Sequence, residues 1–113
     1  MKPWIVYLSG PITGVPDAKE NFARAERFLR SLVSRQGSIF VINPAARHPG
    51  GLTNAEYMKL SFSEIDIASD VCLLPGWENS DGASLEQYYA VYTGKPCFQL
   101  EDRFPEWNMR AEP

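Results

Sequence analysis

"VCLLPGWENSDGASLEQYYAVYTGKPCFQL", residues 71–100, decides the fold. It opens with the apolar run "VCLLP", which reads as a buried strand, and breaks at Pro75-Gly76. It continues through "GASLEQYYAVYTG" as a helix and returns to a second apolar run, "PCFQL". A strand, a helix and a strand joined by short connections imply a right-handed crossover between parallel strands.

The same alternation holds upstream. "WIVYL", residues 4–8, is β-branched and aromatic with no polar alternation, as a strand covered on both faces should be. It ends at "SGPITGVP", whose glycines and prolines forbid a regular element. From Asp17 the pattern turns helical. Phe22, Ala25, Phe28, Leu29, Leu32 and Val33 recur at steps of three and four, with Asp17 as N-cap and Gly37 as stop. "SIFVINP" is a second buried strand closed by Pro44, and "ARHPGGLTN" is an irregular connection. A further helix starts near Thr53 or Asn54, with Glu56 suited to its positive end, carries Tyr57, Met58, Leu60, Ile65 and Ile67, and ends near Asp70. The expected architecture is α/β, a flavodoxin-like (Rossmann-like) three-layer sandwich with a parallel sheet of four to five strands in the order 2-1-3-4. One domain spans residues 1–100, and residues 101–113 form a tail without a clean period, placed either on the site or on a neighbouring subunit.

Composition narrows the function. The chain has 113 residues, enough for one domain, and its net charge of −3 gives no general pull on nucleic acid or anionic lipid. A small anionic ligand is still compatible, because amides at a helix start bind phosphate without net positive charge. Cys72 and Cys97 lie in apolar runs with no second Cys or His at ligand spacing, and His48 is the single His. That argues against a metal site and fits free thiols in a reducing cytosol. No run reaches membrane-spanning length and the opening does not read as a signal peptide, so the expectation is a cytoplasmic protein.

In a doubly wound sheet the ligand site lies beyond the carboxyl ends of the strands, where the strand order reverses. That places "SGPITG" and "PGWENSDGAS" opposite each other. Ser80 or Asp81 can cap the helix that follows, Gly82 and Ala83 allow close backbone approach, and Glu86 falls near its first turn, where the dipole favours an ionised carboxylate. Glu86 reads either as an ordinary acidic residue near a helix start or as a nucleophile aimed into the crevice. Tyr7 is a core aromatic or a hydroxyl pointing at that crevice, and Trp77 stacks on a nucleobase or folds over the sheet edge. Gly10 and Pro11 let the first loop pass close to a ligand. His48, between Arg47 and Pro49, reads as a surface loop residue.

"YLSGPITG", "VINPA" and "SDVCLLPGWENSDGASLE" together resemble the nucleoside 2-deoxyribosyltransferase-like superfamily, over roughly residues 4–100. The likeness is nearest to a small branch common in phage and prophage genomes, and extends to the deoxynucleoside 5′-monophosphate N-hydrolases. The resemblance implies cleavage of an N-glycosidic bond through a Glu nucleophile and a glycosyl-enzyme intermediate, by hydrolysis or by transfer to a second base, without metal or organic cofactor. It matches Glu86 to the nucleophile and Tyr7 to the residue that orients it. Ser80 matches the serine that holds a 5′-phosphate in the N-hydrolases, and Asp81, one position off the family's acidic residue, is the candidate acid. The candidate substrate contacts are Ser9, Gly10 and Pro11 in the first loop and Trp77, Ser80 and Gly82 in the second. Relatives carry an Asp partway along the second long helix, and "KLSFSEID" offers Ser61 and Ser63 in that region instead. The implied partners are a small nucleoside or nucleotide and further copies of the chain, with no polynucleotide and no membrane. The alternatives are a nucleotide-binding module that lost turnover and an assembly part using Trp77, Trp107 and the tyrosines Tyr88, Tyr89 and Tyr92.

Overall fold

The computed structural model describes residues 3–32 and 37–107. Its four strands are β1 (Trp4–Ser9), β2 (Ile39–Ile42), β3 (Asp70–Leu73) and β4 (Cys97–Gln99), all parallel and ordered β2-β1-β3-β4. The expected order 2-1-3-4 is the observed one. Register pairs Tyr7 with Ile42 on one side and Val71 on the other, so β1 and β3 sit centrally.

The helices are α1 (Ala18–Leu32), α2 (Pro44–Arg47), α3 (Asn54–Ile67), α4 (Asp81–Tyr92) and α5 (Leu100–Arg103), with a 3₁₀ turn at Trp77–Asn79. On one face of the sheet α1 packs Phe22, Ala25, Phe28 and Leu29 against Val6, Leu8, Val41, Cys72 and Leu74. On the other, Ile65 and Ala90 from α3 and α4 join Tyr7, Ile42, Val71 and Leu73. Both layers follow from the sequence periods, 3.6 along the helices and 2 along β1. Val33 and the segment leading to Gly37 lie outside the described residues, as do residues 108–113.

Three boundaries differ from expectation. The residues after β2 form a one-turn helix rather than an irregular connection: Asn43 Oδ1 accepts from the Ala46 amide (3.2 Å), and Pro44 at the first helical position costs no amide bond. α3 begins as expected, with Thr53 and Glu56 closing a capping box. It ends at Ile67, short of Asp70, because Asp70 already pairs with Val6 in the sheet and accepts the Trp4 indole N–H (3.1 Å). The tail opens with α5, and Trp107, 5% exposed, meets Phe28 edge-on at 5.4 Å. Its described part therefore covers the α1 face of the sheet. Among the described residues no helix is long and apolar enough to cross a membrane.

Candidate active site

The two central strands release their loops side by side. The Leu74 amide donates to Ser9 O (2.8 Å), and a Cβ on Gly10 would stand 2.9 Å from Leu74 Cβ. Gly10 is thus required by contact with the neighbouring strand end. Gly76 sits in the left-handed region (φ 87°), where glycine is the easy choice, and the Pro11 ring lies against it. The expected meeting of the two loops is observed.

Beneath them lies the polar centre. Glu86 is 2% exposed, and each of its oxygens accepts a hydroxyl: Ser9 Oγ donates to Oε1 at 2.6 Å and Tyr7 Oη to Oε2 at 3.1 Å. Both donors come from the last three residues of β1, where the strand's alternation turns them to the α3/α4 side. Glu86 follows one and a half turns into α4, past the first turn where the helix dipole acts. Burial instead dominates its charge and raises its pKa, and the hydrogen bonds of Ser9 and Tyr7, the nearby Ser61 hydroxyl and the His48 charge offset only part of that rise. The dipole expectation is corrected accordingly. Tyr7 is pushed well above the ordinary phenol range, by burial first and by the Glu86 charge second, so it remains a donor.

Ser61 is fully buried in α3 beside this group, and its Oγ makes no hydrogen bond within ordinary distance and angle among the described residues. It stands near enough to Tyr7, Tyr57 and Glu86 to favour their ionised forms. Ser63, two residues on, is exposed and donates to Leu60 O (2.7 Å), so the structure brings only the first of the two serines to the site. Ser80 is the N-cap of α4, with Oγ accepting from the Ala83 amide (3.2 Å). Asp81 is exposed, and five residues before Glu86 sets it roughly 140° around the helix from that carboxylate. A Cβ at Gly82 would meet nothing within 4 Å, so no protein contact demands its small size. Trp77 packs against the α3/α4 side of the sheet, with a buried indole N–H that has no partner among the described residues.

His48 departs from expectation. Its side chain is only 6% exposed, because α2 carries it inward: Nε2 lies 2.8 Å from Glu64 Oε1 and the ring meets Tyr57 edge-on at 4.9 Å. Tyr57 was read only as part of the apolar pattern of α3, and Glu64 was not singled out. The signal that could have found His48 was Asn43-Pro44, a cap followed by a first-turn proline, which predicts the short helix that aims the ring. Of the three tyrosines in α4, Tyr88 and Tyr92 are 67% and 80% exposed, while Tyr89 stacks on Phe62 at 4.2 Å and donates to Asp66 (2.7 Å).

A cavity of about 270 Å³ lies on the α1 side of the same two loops, lined by Pro11, Phe22, Arg24, Leu74 and Trp107 among others. None of the side chains around Glu86 lines it. Glu86 itself is closed over, at 2% exposed. Among the described residues no group of three His, Cys, Asp or Glu side chains could hold a metal ion.

Fold and site together define a Rossmann-like α/β protein with a buried, hydroxyl-bonded carboxylate where the strand order reverses. The chain belongs to the family described as domain of unknown function DUF4406, which matches residues 4–99. No match was found among curated proteins or among solved structures.

Proposed function

We propose that the protein cleaves or transfers the N-glycosidic bond of a 2′-deoxynucleoside or its 5′-monophosphate, with Glu86 as nucleophile. One observation carries the reading: a carboxylate 2% exposed whose two oxygens each accept a hydroxyl from β1. Burying a carboxylate costs stability, and a core serves stability better with an apolar side chain there. The resemblance of the surrounding motifs to the nucleoside 2-deoxyribosyltransferase-like superfamily supplies the chemistry that such a group would do.

In this reading ionised Glu86 attacks C1′ of the deoxyribose, the base departs, and the glycosyl ester passes to water or a second base. Ser9 and Tyr7 hold the carboxylate and lower the cost of its charge. Ser61, with its free Oγ, is the contact for a sugar hydroxyl. Ser80 takes the Ala83 amide, which leaves the earlier first-turn amides of α4, at Asp81 and Gly82, for a 5′-phosphate. Trp77 supplies a ring beside the loop for the base. A second copy of the chain is the further partner, because Leu85, Tyr88, Val91 and Tyr92 leave an exposed, uncharged face on α4.

A nucleotide-binding module without turnover is the second reading. It is favoured by uncharged Ser61 beside a carboxylate whose burial favours the proton-bound, unreactive form. The two separate in one experiment: chromatography for free base after incubation with each deoxynucleoside and deoxynucleoside monophosphate, with Glu86→Gln alongside. Release that falls roughly 10³-fold or more in Glu86→Gln supports the glycosidase. Nucleotide-dependent stabilisation with no product at all supports the module.

A further inference from the structure

His48 comes to the site from the carboxyl end of β2, the third strand end on that rim. The ring leaves the C-terminus of α2, where the His48 amide donates to Pro44 O (3.0 Å). Glu64, on α3, engages Nε2 at 2.8 Å, and Arg47 approaches the other oxygen of Glu64 at 3.4 Å. Tyr57, also on α3, closes the ring's flank. The remaining nitrogen, Nδ1, is buried and has no hydrogen-bond partner among the described residues. A positive charge on this ring acts on Glu86 of α4 and favours its ionised form.

A histidine that serves only the core is normally satisfied at both nitrogens, since leaving a buried polar atom unpaired costs about 1–3 kcal/mol. Here a carboxylate fixes one nitrogen and the other is free. That is the arrangement of a proton carrier: the carboxylate sets the tautomer and supports the imidazolium, and the free nitrogen gives and takes the mobile proton. Among the described residues the other candidate acid, Asp81, is exposed and lies around the helix from Glu86.

We propose that His48 is the general acid and base of the glycosidic reaction, working through Nδ1, an inference that rests on Glu86 being the nucleophile. In the first step a Glu86 oxygen bonds to C1′ as the C1′–N bond breaks, its electron pair goes to the base nitrogen, and the His48 Nδ1 proton goes to the base. In the second, the oxygen of water bonds to C1′, the Glu86 ester bond breaks with its pair returning to the carboxylate, and a water proton goes to Nδ1. The cycle returns both groups to their starting state. Glu64 is the positioning residue.

The test compares two substrates that differ in their need for a proton. 2′-Deoxyguanosine 5′-monophosphate has a leaving base that must be protonated; its N7-methylated form has a base already cationic, which leaves as a neutral molecule without one. Base release is measured for the native protein, His48→Gln, Glu64→Gln and Glu86→Gln, with melting temperatures taken in parallel. His48→Gln keeps a group able to meet Glu64 and lacks the mobile proton. The expected result is a loss of about 10²–10⁴-fold on the unmodified nucleotide and less than about tenfold on the methylated one. Glu64→Gln, which keeps the ring and so carries the comparison if His48→Gln fails to fold, shows a smaller loss with the same substrate dependence. Equal losses on both substrates, or no loss, overturn the role of His48 while Glu86-dependent turnover stands. Absence of Glu86-dependent release from either substrate by the native protein overturns the glycosidase reading and this inference with it.

Discussion

The two faces of the sheet were built from one strand and serve opposite ends. Along β1, Val6 and Leu8 turn toward α1 and enter a cluster of Phe22, Ala25, Phe28, Leu29 and Trp107. Tyr7 and Ser9, alternating with them, turn toward α3 and α4 and end on Glu86. Among the described residues, three of the four buried polar ones, Ser9, Ser61 and Glu86, gather on that second side; the fourth, Asn43, caps α2. A period of two thus lets four consecutive residues contribute to an apolar layer and to a buried polar cluster at once. The first layer is stabilising wherever it is packed, and the second carries charge that burial opposes.

The comparison breaks most visibly on the apolar side. Phe22→Ala, at a position 1% exposed, should cost about 3–5 kcal/mol in urea unfolding. Whatever base release the native protein shows should survive in the molecules that remain folded. Gly10→Ala tests the seam between the layers: its Cβ would press on Leu74 Cβ at 2.9 Å, so a loss of about 1–3 kcal/mol is expected. Leu74→Gly, which removes that Cβ, should relieve part of that strain, seen as non-additivity in the double variant.

On the polar side the expected effects are smaller and of a different kind. Replacing Glu86 by Gln removes a buried charge while keeping its shape, so the variant should be more stable than the native protein at pH 7, by about 1 kcal/mol. The folded pKa of Glu86 is raised above its unfolded value. Its contribution to native stability is therefore fully present below the unfolded pKa and is lost as pH rises through the folded one. Melting curves against pH should accordingly show the gain of Glu86→Gln growing upward from the ordinary carboxylate range and vanishing below it. Removing one donor shifts the balance further: Ser9→Ala and Tyr7→Phe should each move the acid limb of the pH–rate profile to higher pH. The shift should be larger for Ser9, whose hydrogen bond is shorter and the stronger in lowering the Glu86 pKa.

What the sequence made legible follows from the same physics. The buried strands and the helix between residues 81 and 92 announced themselves by apolar runs and breakers, and strand order followed from handed crossovers. Thr53 and Glu56, at capping-box spacing, located the start of α3. Tyr7 and Glu86 were legible as candidates from a strand end and a helix start, whereas Ser9 and Ser61 entered only through the resemblance of the motifs to a known superfamily. His48 was hidden because burial of a loop residue depends on where its neighbours fold, and here it caps a one-turn helix, Pro44–Arg47, with its ring against Glu64 and Tyr57. The sign of the Glu86 shift was hidden for a related reason. A helix dipole can be read from position, whereas desolvation depends on the layer that covers the residue.

The most direct test of the central claim, that Glu86 is a nucleophile, is peptide mapping by mass spectrometry of protein acid-quenched during turnover of a deoxynucleoside monophosphate. The expected result is a deoxyribosyl phosphate adduct on the peptide containing Glu86, absent from Glu86→Gln. Base release accompanied by an adduct on another residue, or undiminished in Glu86→Gln, would contradict it.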